Sequence, residues 1–243
     1  MKPAMTPQQA RLVDEESSGF ALYRDLAVGA GGNLALLGYE LNMLLLSNLP
    51  GLAGYGLRSI FYPRMLRACG ARPAFGRSLV IRNPGVISLG KKVLIDDFAV
   101  LDGRGDASIS LGDFVSIGRF TTITAKGGMV DLAAGVNIGS YCRVATQSKV
   151  VVGESALIAA YCYIGPGNHQ RGEEETPLIA REMEIKGGVN IGKNAWIGAH
   201  TTILDGVTIG NGAIVGAHSL VRSDVPDGSV VAGIPAKIIN SHS

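Results

Sequence analysis

From Ile191 onward an aliphatic residue returns at every sixth position: Ile191, Ile197, Ile203, Ile209, Val215 and Val221. A period of six fits neither a helix of 3.6 residues per turn nor the simple alternation of a half-buried strand. It does fit a solenoid in which three short strands make one 18-residue coil, each strand pointing one aliphatic side chain inward. Two residues before each next member stands a small or β-branched residue, namely Ala195, Thr201, Val207, Ala213 and Ser219. A second inward position of that size lets the chain turn a corner without crowding the axis. Stacked coils would then pair by parallel backbone hydrogen bonds about 4.8 Å apart.

The same register runs through the preceding hundred residues with interruptions. Leu89, Ile95 and Leu101 are followed by Leu111, Ile117 and Ile123, then Leu132, Ile138, Val144 and Val150, then Val152, Ile158 and Ile164. Each phase break predicts a bulge or short loop at a corner. The largest break is residues 165–188, GPGNHQRGEEETPLIAREMEIKGG, and a long excursion between well-formed coils points to function. The repeat therefore predicts an all-β solenoid over residues 77–240 with an inserted loop at 165–188.

Residues 1–76 stand outside the repeat. The stretch from Leu26 to Leu57 carries Glu40 as its only charge and reads as apolar helix broken by glycines, Pro50 and Pro63. Between residues 41 and 95 there are eight bases (Arg58, Arg64, Arg67, Arg72, Arg77, Arg82, Lys91, Lys92) and no acid. Apolar helices followed by a base-only stretch suit a segment lying on an anionic leaflet; equally, such helices could cap the open end of the solenoid and hide its strand edge. Glu40 and the glycines argue against a full transmembrane span. A net excess of bases confined to this segment, with 14 bases against 20 acids in the rest of the chain, does not make a nucleic-acid protein. Three cysteines without a CxxC pair, two of them at inward positions, read as core residues in a reducing compartment. The polar start, with Asp14, Glu15 and Glu16 in a row, is unlike a secretory leader. The expected location is the cytoplasm, or the cytoplasmic face of the inner membrane if the amino-terminal segment binds lipid.

The segment NAWIGAHTTILDGVTIGNGAIVGAHSLVRSDVPDGSVVAGIPAKII, with the loop motif Gly167-Asn168-His169, carries a resemblance. Over roughly residues 75–240 the chain resembles the hexapeptide-repeat acyltransferases, the superfamily of the galactoside, maltose and serine acetyltransferases, and within it the O-acetyltransferases of bacterial polysaccharide biosynthesis. The resemblance implies a left-handed parallel β-helix, a hand opposite to the general rule for parallel crossovers. It also implies a homotrimer with sites between prisms, acetyl-CoA as donor with no metal required, and a saccharide acceptor that can be lipid-linked. His169, beside Asn168, takes the place of the general base, and an imidazole can accept the proton of a poorly nucleophilic hydroxyl near neutral pH. Glu173, Glu174, Glu175, Glu182 and Glu184 are near enough in sequence to orient it.

The resemblance further places the pantetheine arm along the coil corners at Gly198, Ala199, Gly216 and Ala217, and the coenzyme phosphates near Arg222 and Lys237. Relatives often have Thr-Lys where this chain has Arg222 and Ser223. Trp196 is expected to turn outward and line the acyl or acceptor pocket, or else to pack at a subunit contact. Asn137 is an acceptor-pocket residue or a turn asparagine. His200 and His218, one full coil apart in two Gly-Ala-His triplets, should stack on one edge; the ligand spacing of the zinc-binding trimeric β-helix anhydrases is absent. The activity expected is acyl-CoA-dependent O-acylation of a sugar hydroxyl in exopolysaccharide, capsule or lipopolysaccharide assembly. N-acetylation of a nucleotide-linked amino sugar and a non-catalytic trimeric scaffold are the alternatives.

Overall fold

The computed structural model describes residues 18–165, 181 and 183–241. All the aliphatic residues picked out by the period of six are buried, most at 0–2% exposure. They form three columns along a left-handed parallel β-helix of about seven coils. The chain visits three flat faces, A, B and C, in fixed order. Face A runs from Ala68–Cys69 to Thr208–Ile209, with Leu89, Leu111, Leu132, Val152, Ile191 and Ile209 in one inward column. Face B runs from Ala74–Phe75 to Ile214–Val215, and its column is Ile95, Ile117, Ile138, Ile158, Ile197 and Val215. Face C carries Leu101, Ile123, Val144, Ile164, Ile203 and Val221. Each fully buried aliphatic side chain contributes about 1.5–3 kcal/mol of transfer free energy, so the columns dominate the stability of the prism.

Two of the three corners share one turn geometry and the third does not. At the B-to-C corner one residue per coil holds a left-handed backbone: Ser78, Phe98, Phe120, Tyr141, Tyr161, His200 and His218 all have φ between 55° and 62°. The A-to-B corner repeats that geometry at Lys92, Phe114, Gly135, Ser155, Asn194, Gly212 and Gly228. The C-to-A corner takes the interruptions. The breaks from Leu101 to Leu111, Ile123 to Leu132, Val144 to Val152 and Ile164 to Ile191 each separate a face C strand from the next face A strand. Insertions gather there because that link already departs from the tight turn, and added residues project without disturbing the ladders.

The ladder begins at Ala68–Cys69, which pairs with Ile87–Leu89, upstream of residue 77, where the solenoid was expected to start. Among the described residues three α-helices precede it: α1 (Gly19–Val28), α2 (Asn33–Leu46) and α3 (Gly51–Phe61). They close the prism end. Tyr62, fully buried, meets Phe75 of the first coil with ring centroids 5.5 Å apart, and Met43, Leu46 and Met65 pack against the same core. Arg58 secures this closure from inside. Its guanidinium donates to the carbonyls of Phe75, Leu46 and Leu49 at 2.8–3.0 Å and is only 3% exposed, so one base of the base-only stretch is structural. At the far end face B is completed by Ser229–Gly233, parallel to Ile214–Val215, and by the antiparallel strand Ala236–Ser241.

Candidate active site

The B-to-C corner is a rail with an inner and an outer layer. Outside, six rings stack one per coil, Phe98 on Phe120, Tyr141, Tyr161, His200 and His218, with centroids 4.6–5.0 Å apart and planes within 14° of parallel. That spacing is the rise between coils in a parallel sheet, so the backbone sets the stack. Arg77 extends it by lying over the Phe98 ring. A left-handed backbone costs a non-glycine residue roughly 1–2 kcal/mol, and each ring pair returns about 0.5–1.5 kcal/mol. Inside, the residue after each ring is small, and after every ring but Phe98, which precedes Ala99, its side chain is hydrogen-bonded. Thr121 donates to the Gly139 carbonyl, Cys142 to Ala159, Cys162 to Gly198, Thr201 to Gly216 and Ser219 to Gly216. Both buried cysteines are thus thiols bonded to backbone. Hydrogen bonding to Cys142, followed by burial, pushes the Cys162 thiol well up, which suits a core residue and not a nucleophile.

Gly198 and Ala199 lead directly into His200, and Gly216 and Ala217 into His218, so the residues expected to meet a pantetheine arm all lie on this rail. Gly198 needs to be glycine because a Cβ there would come within 2.5 Å of the Ala217 nitrogen. Lys237 joins them: it pairs with Ala232, and a Cβ on Gly216 would reach the Ala232 Cβ at 2.9 Å. Trp196 and Asn137 stand in one outward row of face B with Leu157 between them, two rungs or roughly 10 Å apart. Trp196 is half exposed, and the exposed Asn137 donates its amide to Ser116 Oγ at 2.8 Å. The structure therefore brings Asn137, Trp196, Gly198, Ala199, Gly216, Ala217 and Lys237 to one side of the prism.

Of the remaining candidates, the described ones, Glu184 and Arg222, lie on the other side. His169 and Asn168 lie outside the described residues, as do Glu173, Glu174, Glu175 and Glu182. The strands that bracket their loop, Tyr163–Ile164 and Val189–Ile191, belong to faces C and A, so the loop departs from the corner opposite face B. Arg222, exposed, follows the last face C strand at this same corner and is separated from Lys237. Glu184 is exposed and pairs with Lys186 at 3.9 Å, while the Lys186 and Gly188 backbone N–H groups donate to Asp205. Two clefts, of about 430 and 680 Å³, open where the helices meet the first coils, and neither is lined by a sequence-predicted site residue. Trp196 and its neighbours lie on an open face.

Sequence reasoning picked out the two histidines of the rail and missed the four rings before them. The signal was present: Phe98, Phe120, Tyr141, Tyr161, His200 and His218 each stand three residues before a face C aliphatic.

The comparisons with known proteins agree with this architecture. A family model described as bacterial transferase hexapeptide (six repeats) matches residues 188–223. A protein of Escherichia coli strain K12 named as a lipopolysaccharide biosynthesis O-acetyl transferase, WbbJ, is 34% identical over 58% of this chain and 75% of its own length. An acetyltransferase of Mycobacterium tuberculosis, Rv3034c, is 33% identical over 65% of this chain, which spans half of that longer protein. Among solved structures, AntD, an N-acyltransferase from Bacillus cereus crystallised with dTDP-4-amino-4,6-dideoxyglucose and coenzyme A, is 25% identical with a TM-score of 0.50, over 73% of this chain and 84% of that one. The repeat, the coil corners and these likenesses together make the chain an acyltransferase that belongs to the bacterial hexapeptide-repeat transferase family.

Proposed function

We propose that this protein transfers an acyl group, acetyl in the first instance, from coenzyme A to a saccharide hydroxyl in the assembly of a bacterial surface polysaccharide, with His169 as general base. The observation that supports the reading is that the described candidates on face B and its rail lie across the prism from the roots of the 165–188 loop. The rail at Gly198, Ala199, Gly216 and Ala217 and the face B residues Trp196 and Asn137 form one half. The loop rooted at Ile164 and Val189 forms the other. Two prisms set side by side, as in a homotrimer, would bring the loop of one against the rail of the next and enclose a thioester between them.

In such a cleft the His169 imidazole takes the proton of the acceptor hydroxyl as its oxygen attacks the thioester carbonyl. The tetrahedral oxyanion needs a fixed N–H donor, and its collapse breaks the C–S bond. The imidazolium then returns the proton to the coenzyme thiolate, which leaves both products neutral at the reacting atoms. Arg222 and Lys237 would hold coenzyme phosphates, Arg222 from the loop side and Lys237 from the rail side. A thioester is activated enough that holding the reactants in attack geometry supplies the rest.

The test is incubation with acetyl-CoA and candidate glycans, read by mass. We expect addition of one acetyl group, and His169→Ala to lower the rate by several powers of ten with coenzyme binding and trimer retained. Unchanged turnover in that variant would return the chain to a scaffold or to another base. Mixed trimers sharpen the result: chains carrying His169→Ala and chains carrying Gly198→Trp, each inactive alone, should recover activity when refolded together. N-acylation of a nucleotide-linked amino sugar is the second reading, favoured by the likeness to AntD. The same assay with a nucleotide-linked amino sugar distinguishes the two.

A further inference from the structure

Helix α2 is apolar on two opposite faces, and among the described residues only one of them has a partner. Leu36, Tyr39, Met43 and Leu46, spaced three, four and three residues apart, turn toward the prism, where Leu36 and Tyr39 are buried and Met43 and Leu46 pack on the core. Leu34, Leu37, Leu41 and Leu44 repeat that spacing on the other side and are exposed, Leu34 by 85% and Leu44 by 80%. A helix that is hydrophobic all round is normally covered all round. Phe20 on α1 and Leu52 on α3 are exposed as well, the latter by 84%. Glu40, the acid of α2, is engaged by the Tyr23 hydroxyl, and that bond holds the phenol up at about 12.

The charge around this surface is predominantly basic. Residues 18–95 contain nine bases and two acids, Asp25 and Glu40. Among the bases Arg64, Arg67, Arg72 and Lys92 are exposed at the same end of the column, on the chain leaving the helices and on the first two coils. We infer that the outer face of the helical cap docks onto an anionic lipid bilayer, with leucines entering the acyl boundary and these cations among the headgroups. Charge selects this occupant over a second copy of the chain, since a cap-to-cap contact would set one basic surface against another. Among the described residues no helix is long and apolar enough to cross a membrane, so the contact is peripheral.

Docking fixes where the reaction would happen. The strand before the loop, Tyr163–Ile164, is the fifth along face C from Val80–Arg82, which puts the loop roots roughly 20 Å from the cap. With the column upright, an acceptor would need to lift its reactive hydroxyl that far from the lipid, which fits a lipid-linked oligosaccharide. This acceptor class rests on the acyl-transfer reading proposed above, while the docking itself does not.

Vesicle flotation of the full chain tests it without donor or acceptor. With vesicles of phosphatidylcholine containing about a third phosphatidylglycerol we expect the protein in the floated fraction, and at least tenfold less with phosphatidylcholine alone or at 0.5 M salt. Leu34→Glu/Leu44→Glu should abolish flotation while thermal melting and elution volume stay those of the parent, because both side chains already face water. Arg67→Glu/Arg72→Glu should lower it on anionic vesicles. A chain lacking residues 2–17 should float as well as the parent. The parent remaining in the soluble layer, or the leucine variant floating unchanged, would overturn the inference. So would a fall in oligomer size in the leucine variant, which would assign the face to a second copy, or flotation seen only after the truncation, which would assign it to the amino-terminal segment.

Discussion

Two corners of the same prism have opposite tolerance for change. At the B-to-C corner each coil from Phe98 to His218 turns through one left-handed residue, with a stacked ring outside and a small residue inside that is hydrogen-bonded from Thr121 to Ser219. At the C-to-A corner the connection varies from coil to coil and includes residues 165–188. The contrast teaches how a repeat can carry chemistry. One edge is held to the coil rise, so that anything bound along it meets backbone groups at fixed intervals. The other is free to grow a loop, and neighbouring prisms can bring the two together.

The strongest way to break this comparison is to insert the same two glycines at each corner. Between Ala199 and His200 they would separate the Tyr161–His200 and His200–His218 stacks and displace Thr201 from the Gly216 carbonyl. We expect a loss of about 3–5 kcal/mol, enough to remove most of the cooperative transition. Between Gly105 and Asp106, both exposed, the cost should stay under about 1 kcal/mol, since lengthening an existing loop adds little closure entropy. Urea unfolding of the two variants decides it, and equal losses would mean the corners do not differ.

How much of this was legible in the sequence depends on residue type. The three columns were readable from Leu89 to Val221 because aliphatic side chains recur without substitution. The first coil was not, although Cys69, Phe75 and Ile81 keep the spacing, because Tyr62 and the helices leave room for a ring where other coils have Ile or Val. The ring rail was hidden because Phe, Tyr and His share a stacking geometry but no hydropathy class. Its Tyr161–His200 step also spans the inserted loop. Among the site residues, motif spacing named Gly198, Trp196, His169 and Arg222 together, whereas only the order of the faces reveals that Arg222 and the strands bracketing the His169 loop belong to a different side of the prism from Gly198 and Trp196. The exposed face of α2 was invisible for a simpler reason: two apolar stripes on one helix read as a single apolar run.

A smaller effect sharpens the account of the rail itself. Tyr141 lies between Phe120 and Tyr161 with φ at 59°. Tyr141→Ala removes both stacks and keeps the backbone cost, and should destabilise by about 2 kcal/mol. Tyr141→Gly removes the same stacks but relieves the left-handed backbone, so it should be less destabilised than the alanine variant by about 1 kcal/mol. If alanine proved the better tolerated, stacking alone would not explain why rings occupy this turn.

The smallest expected effect concerns the A-to-B corner, which makes the same left-handed turn with little stacking. There carboxylates do the stitching. Asp113 accepts from the Lys91 backbone N–H at 2.8 Å and pairs with its ammonium at 3.2 Å, and Asp227 accepts from the Asn211 N–H at 2.8 Å and from its side-chain amide. These bonds hold both carboxyls below the usual range, chiefly the Lys91 backbone for Asp113 and the Asn211 amide for Asp227. A carboxyl depressed in the folded state gives the unfolded chain the greater proton uptake in acid. Its contribution is therefore complete above the ordinary value near 3.9 and is lost as pH falls through the depressed one. Asp113→Asn/Asp227→Asn should melt slightly below the parent at pH 7, and the gap should close as the melts are repeated toward pH 3. Ring stacking has no such dependence on carboxyl titration, so combining Tyr141→Ala with the two asparagines should leave the Tyr141 increment constant over the same range. A shared acid dependence would mean that the two corners are coupled through the coil between them.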